Sequence, residues 1–147
     1  MNKIENALLL FNGNYNCSQA VFASFSEVLG MEKEMALRIA CGFGAGIARQ
    51  QLICGAVTGA IMVISSKYGN YTEEDLVSKE KTYQLIHHFS EKFLEKHNSI
   101  ECNKLVGCNF NTEEGIKYYS ENEIQKKICA ECIKDSIEIM EEILREK

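Results

Sequence analysis

The stretch from Ile53 to Tyr68 is apolar on nearly every side. Between Ile53 and Ile64 it holds one hydroxyl, that of Thr58, and no charge. A helix that is hydrophobic all round must be covered by neighbours on every face. The segment therefore predicts a bundle with this helix at its centre. It is well short of the roughly 20 apolar residues that a membrane span requires. Gly55 and Gly59 lie four residues apart, which clears one stripe of the helix for the close approach of another. Gly69 ends the helix.

The remaining pattern supplies the covering elements. Lys3 to Phe11 reads as a short amphipathic helix ending at Asn12-Gly13-Asn14. Asn16 is placed to cap a second helix, Cys17 to Leu29, with Ala20, Val21, Phe25 and Val28 on one face. Gly30 stops it. Glu32 to Cys41 reads as a third, with Glu32 and Glu34 favouring its positive N-terminal end. Thr72, Glu74 and Asp75 open a long amphipathic helix in which Leu76, Tyr83, Leu85, Ile86, Phe89 and Phe93 recur at helical spacing. Asn98-Ser99 precedes a short turn of helix around Cys102 to Val106, and Thr112-Glu113-Glu114 starts another. The last helix, about Lys127 to Arg145, turns Ile133, Ile137, Met140 and Ile143 inward. No segment alternates as a strand, and there is no proline to impose a kink or a rigid linker. At 147 residues the chain suits one domain with a real core. The fold class expected is all-α, a single-domain helical bundle spanning residues 1–147.

A net charge of -5 argues against a nucleic-acid partner, whose phosphates demand a basic face. No basic run suits an anionic membrane surface. Ala7 to Phe11 is too short for a signal-peptide core, so a cytoplasmic location is expected. In that compartment thiols stay reduced, and seven cysteines point to metal ligands or redox catalysts rather than structural disulfides. The count is odd, so pairing within one chain cannot be complete.

Four of these cysteines fall near helix starts. Cys17 follows the capping Asn16, Cys54 opens the central helix, Cys102 follows Asn98-Ser99, and Cys129 lies near the start of the last helix. A thiol in a helix's first turn faces unpaired N–H groups and the positive end of the dipole. That end is worth roughly 0.3–1 kcal/mol, enough to lower a thiol pKa by about half a unit.

Asn16-Cys17-Ser18-Gln19-Ala20-Val21, Gly42-Phe43-Gly44-Ala45-Gly46 and Cys54-Gly55-Ala56-Val57-Thr58-Gly59 resemble the redox-active protein family named for its C-GCAxxG-C-C cysteine pattern. Cys102-Asn103-Lys104-Leu105-Val106-Gly107 resembles its third cysteine segment. Cys129, with Ile133, Asp135 and Ile139-Met140-Glu141-Glu142, resembles the fourth. This chain reads Cys54-Gly55 where the family name has Gly-Cys. The resemblance runs along nearly the whole chain. It implies a cytoplasmic helical domain with four characteristic cysteines and a redox role. It also implies kinship with the cysteine domain of split-Soret cytochromes, which is associated with an iron–sulfur cluster. The Cys-x-x-Cys-His attachment motif is missing, so no haem is expected.

Were Cys17, Cys54, Cys102 and Cys129 to meet, two thiolates at about 4 Å would repel by roughly 4 kcal/mol at an effective dielectric near 20. Helix dipoles cannot offset several such pairs. The cluster must then hold protons, form disulfides or bind a cation. Sulfur-only ligation favours zinc or an iron–sulfur cluster over hard cations. The long intervals between the four differ from the compact pairs of structural zinc sites. The expectation is a redox site of these four residues, serving as catalytic, cofactor-binding and metal-binding groups for an iron–sulfur cluster or another thiolate-bound metal. A metal-free thiol–disulfide oxidoreductase, using Cys54 with Cys17, Cys102 or Cys129, is the alternative. A non-catalytic module that senses or sequesters metal is a third. The partner expected is an electron donor or acceptor; the apolar helix is covered within the chain or by a second copy, with a homodimer as the expectation.

Cys41, Cys108 and Cys132 are extras on this reading, although Cys129-Ala130-Glu131-Cys132 is a Cys-x-x-Cys. The glycines at 42, 44 and 46 read as a tight interhelical turn, because a dinucleotide fingerprint needs a preceding strand. His87, His88 and His97 receive no ligand or base role, and one of the first two is expected to face solvent. The charges from Glu73 to Lys96 read as a solvated face.

Overall fold

The computed structural model describes residues 1–145. Asn2 starts α1 (Lys3–Asn12) by accepting the Glu5 amide on its side chain. Asn16 and Gln19 form a reciprocal capping box at the start of α2 (Cys17–Ser24). The second helix expected as one run to Leu29 breaks at Phe25, and α3 (Ser26–Leu29) follows. Ser24 Oγ donates to Val21 O at 2.7 Å and Ser26 Oγ to Ala23 O at 2.8 Å. These hydroxyls compete for carbonyls that a continuous helix would use. The break also turns Val28 outward, where it is 50% exposed rather than packed.

Helix α4 (Lys33–Ala40) leads through a 3-10 turn, Cys41–Phe43, into α5 (Gly44–Ile47). This last element is no ordinary helix. Ala45, Gly46, Ile47, Ala48 and Arg49 all have positive φ, and Gln51 again after one residue. Each non-glycine residue held there costs about 1–2 kcal/mol. Leu52 N–H donating to Gly46 O at 2.9 Å and Gln51 N–H donating to Ala45 O at 3.2 Å hold the turn.

Helix α6 (Gly55–Tyr68) is the central element. Gly55, Ala56, Val57, Gly59, Ala60, Val63 and Ile64 are buried, Thr58, Ile61 and Met62 are partly buried, and the last turn is exposed. Helix α2 lies along it at the stripe cleared by the glycines. A β-carbon on Gly59 would stand 2.9 Å from Val21 Cβ. The opposite flank is covered by α7 (Leu76–His97) and, beyond α8 (Cys102–Val106) and α9 (Glu113–Glu121), by α10 (Ala130–Arg145). Ser136 Oγ fastens α10 to α6 by donating to Ala56 O at 2.8 Å.

Asp75 caps α7 by accepting the Ser78 amide, so the helix starts at Leu76 rather than at Thr72. Leu76 and Tyr83, expected on its packed face, are exposed, while Phe89 and Phe93 are fully buried. The start expected at Lys127 is a π-helical turn, Gln125–Cys129, which runs into α10. Such turns concentrate at functional sites. Among the described residues there is no strand beyond one antiparallel bridge, Ile53 with Glu101, and no helix is long and apolar enough to cross a membrane.

Candidate functional site

The bridge brings two cysteines together from distant parts of the chain. Cys54 N–H donates to Ile100 O at 2.8 Å, and Cys102 N–H donates to Leu52 O at 2.6 Å. The clamp sets the N-termini of α6 and α8 side by side. Gly55 lets Cys17 reach the same point from α2, since a β-carbon there would lie 2.8 Å from Cys17 Cβ. The π-helical turn delivers Cys129.

Cys17, Cys54, Cys102 and Cys129 all line one cavity of about 100 Å³, and Cys132 joins them. Phe11, Leu105, Val106, Phe110, Tyr119 and Ile128 form most of the apolar wall. All seven thiols are free. Cys41 is exposed and Cys108 half-buried, and neither lines the cavity. Among the described residues, no three Cys, His, Asp or Glu side chains converge on a position for a single metal ion.

The thiols lining the cavity shift in two directions. Cys129 is held below the ordinary thiol range by the S–H of Cys17, against burial, with further help from the Tyr119 hydroxyl 3.7 Å away. Cys54 is likewise lowered, first by the S–H of Cys132 and, against burial, by the N–H groups of Ala56 and Val57. Neither N–H closes a capping bond of ordinary geometry. Cys17 is pushed well up by donating to Cys129 and by burial, and Cys132 by donating to Cys54 and by burial. Burial pushes Cys102 to about 12. Of the helix-start effect expected at all four positions, only Cys54 draws on the first-turn N–H groups of the helix that follows it. At Cys17 donation to Cys129 together with burial, and at Cys102 burial, outweigh a surface-scale dipole effect.

Two further side chains hold the cavity wall. Gln51 is buried and spans the gap to the α8–α9 loop, its amide donating to Cys108 O at 2.7 Å and accepting from Phe110 N–H at 2.8 Å. Tyr119 sits edge-on to Phe110, with ring centroids 5.0 Å apart, and faces Cys129. Sequence reasoning passed over both, and neither carries a motif. Cys132 did carry one, the Cys-x-x-Cys.

No curated protein and no solved structure matches the chain at a significant level. The family profile described as "Putative redox-active protein (C_GCAxxG_C_C)" matches residues 15–143, from the capping turn before Cys17 almost to the end of α10. With cavity cysteines from α2, α6, α8 and the π-helical turn all inside that match, the chain belongs to this redox-active family.

Proposed function

We propose that the chain is an electron-transfer protein whose cavity thiols hold a metal centre, an iron–sulfur cluster in preference to a lone ion. The observation supporting this is the cavity itself. Five thiols and an apolar wall line about 100 Å³ where four elements meet. Thiolate sulfur is the donor that soft metals select. A cluster is held by several Cys thiolates, and five sulfurs line this one cavity. Cys17, Cys54, Cys102 and Cys129 would hold it, and it would supply one-electron chemistry there.

The chain's own residues prepare the site. Cys54 and Cys129 carry negative charge most readily, while Cys17, Cys102 and Cys132 keep their protons. This limits the repulsion that several adjacent thiolates would create. Phe110, Tyr119 and Ile128 restrict water at the wall, which raises the strength of every charge interaction inside.

A second reading has its own support. Cys17 with Cys129, and Cys132 with Cys54, are each a thiol donating to a charge-favouring sulfur. Such pairs suit a metal-free dithiol–disulfide couple, because the thiolate is the attacking species. Purification without air, followed by iron, sulfide and zinc analysis, separates the two. Brown protein with stoichiometric iron and sulfide, lost in Cys54→Ser, supports the cluster. Colourless protein with a reversible two-electron couple supports the dithiol. Protein with neither behaviour contradicts both.

A further inference from the structure

The thiol cavity has a neighbour. A hollow of about 320 Å³ opens on the surface, lined by Ala45, Arg49, Phe110, Ile116 and Tyr119. Ala45, Phe110 and Tyr119 line the thiol cavity as well. The edge-on pair of Phe110 and Tyr119, with centroids 5.0 Å apart, is therefore a layer between the two spaces. On its inner side Tyr119 reaches a site sulfur, its hydroxyl 3.7 Å from Cys129 Sγ. Both rings are half-buried, and Ile116 stands beside them on α9, 58% exposed.

Of the five lining residues Arg49 alone is charged. It is exposed, and it takes no part in the ion pairs among the described residues. Its place is nevertheless fixed. The backbone of Arg49 is held at φ 67, in the left-handed region, and Asn111 Nδ2 donates to its carbonyl at 2.9 Å. The loop that carries Asn111 also carries Phe110, whose N–H donates to Gln51 Oε1 at 2.8 Å. The cation and the aromatic layer are thus tied to each other. Non-glycine residues in this conformation persist only where surrounding contacts over-determine them, and they gather at ligand clamps. A guanidinium also matches phosphate and carboxylate groups bidentately.

We infer that this hollow binds a planar aromatic anion with the chemistry of a flavin mononucleotide, its ring system against Phe110, Tyr119 and Ile116 and its phosphate on Arg49. Small-molecule sites begin at about 300 Å³, so the ring system fills the hollow and the anionic tail stays at the rim. The binding stands on these residues alone, whereas its use rests on the redox function proposed above. Each electron that a reduced centre in the thiol cavity loses crosses one aromatic layer and enters the ring system. Two such electrons, with two protons from solvent at the open side, reduce it fully.

The test is a titration of flavin mononucleotide with the purified chain, read by the quenching of flavin fluorescence that stacking on tyrosine causes. Saturable quenching is expected. Lumiflavin, the same ring system without the phosphate, should bind about fivefold more weakly, the worth of one exposed charged pair. Arg49→Gln should weaken flavin mononucleotide by that factor and leave lumiflavin unchanged. Ile116→Asp puts a carboxylate on the wall and should weaken both. Both substituted side chains are exposed, so the variants keep the fold, which circular dichroism checks. No saturable quenching up to about 1 mM overturns the inference, as does an Arg49→Gln variant that loses both ligands equally or neither. A wild-type dimer that Ile116→Asp dissociates, seen by ultracentrifugation, assigns the hollow to a second copy and overturns it too. Saturable binding without electron exchange between the anaerobically reduced protein and the bound flavin refutes the redox reading and upholds the site.

Discussion

Cys17 and Gly55 touch across two helices: a β-carbon added to Gly55 would lie 2.8 Å from Cys17 Cβ and 3.0 Å from Ser18 N. The contact is where α2, α6 and the thiol cavity meet. Its tightness explains why a residue without a side chain follows Cys54. The same geometry makes the site sensitive to changes that add only a methyl group.

Gly55→Ala should therefore destabilise the fold by about 1–3 kcal/mol, the usual cost of overpacking a filled core. Gly42 provides the control, since a β-carbon there meets nothing within 4 Å. Urea unfolding of both variants should show a lower midpoint for Gly55→Ala and a near wild-type midpoint for Gly42→Ala. Equal midpoints would contradict the close contact.

Gln51→Ala removes the amide that joins the left-handed turn to the α8–α9 loop at Cys108 and Phe110. Two buried hydrogen bonds are lost, each worth about 1 kcal/mol. The Asn111 side chain, donating to Arg49 O at 2.9 Å, remains as a weaker tie. Hydrogen exchange should accelerate across residues 107–121 while α6 stays protected.

Tyr119→Phe takes one donor from Cys129, and Cys17→Ala takes the larger one. Both should slow alkylation of Cys129 at fixed pH, by several-fold for Cys17→Ala and less for Tyr119→Phe. Mapping of the labelled peptides by mass spectrometry gives the order directly. A Cys129 that reacts faster in either variant would show that the donors merely shield it.

Alkaline pH should loosen the reduced, metal-free protein. Burial raises the Cys102 thiol from 9.0 to about 12, so the folded state favours its protonated form. The stabilisation is complete below about pH 9 and is lost as pH rises toward about 12. Cys102→Ala should flatten the decline between those limits, where one group contributes at most about 1.4 kcal/mol per pH unit. Chemical denaturation across that range measures it. An equally steep decline in the variant would assign the effect elsewhere.

Much of this site was legible one helix at a time. The cap at Asn16, the Gly-x-x-x-Gly stripe and the apolar run after Cys54 are local patterns, and each appears where expected. So do Cys17, Cys54 and Cys102 at helix starts, because a start is marked by residues adjacent in the chain, whereas Cys129 ends a π-helical turn that runs into α10. The break at Phe25 was missed, since two serines choosing nearby carbonyls over the helix look no different from helical serines. The exposure of Val28 follows from that break. His97 and Asp135 lie 38 residues apart and His97 carries no motif, so their contact at 2.8 Å could not be read from spacing.

The order of residues by itself determined an all-helical chain with a central apolar helix and a conspicuous set of thiols, because helix periodicity and capping depend on neighbours within a few positions. Tertiary structure alone decided which sulfurs share a cavity, admitting Cys132 and leaving Cys41 and Cys108 outside. It also decided which of them hold protons. Burial and the identity of the facing group govern a thiol's charge, and both arise only when α2, α6, α8 and α10 pack around one point.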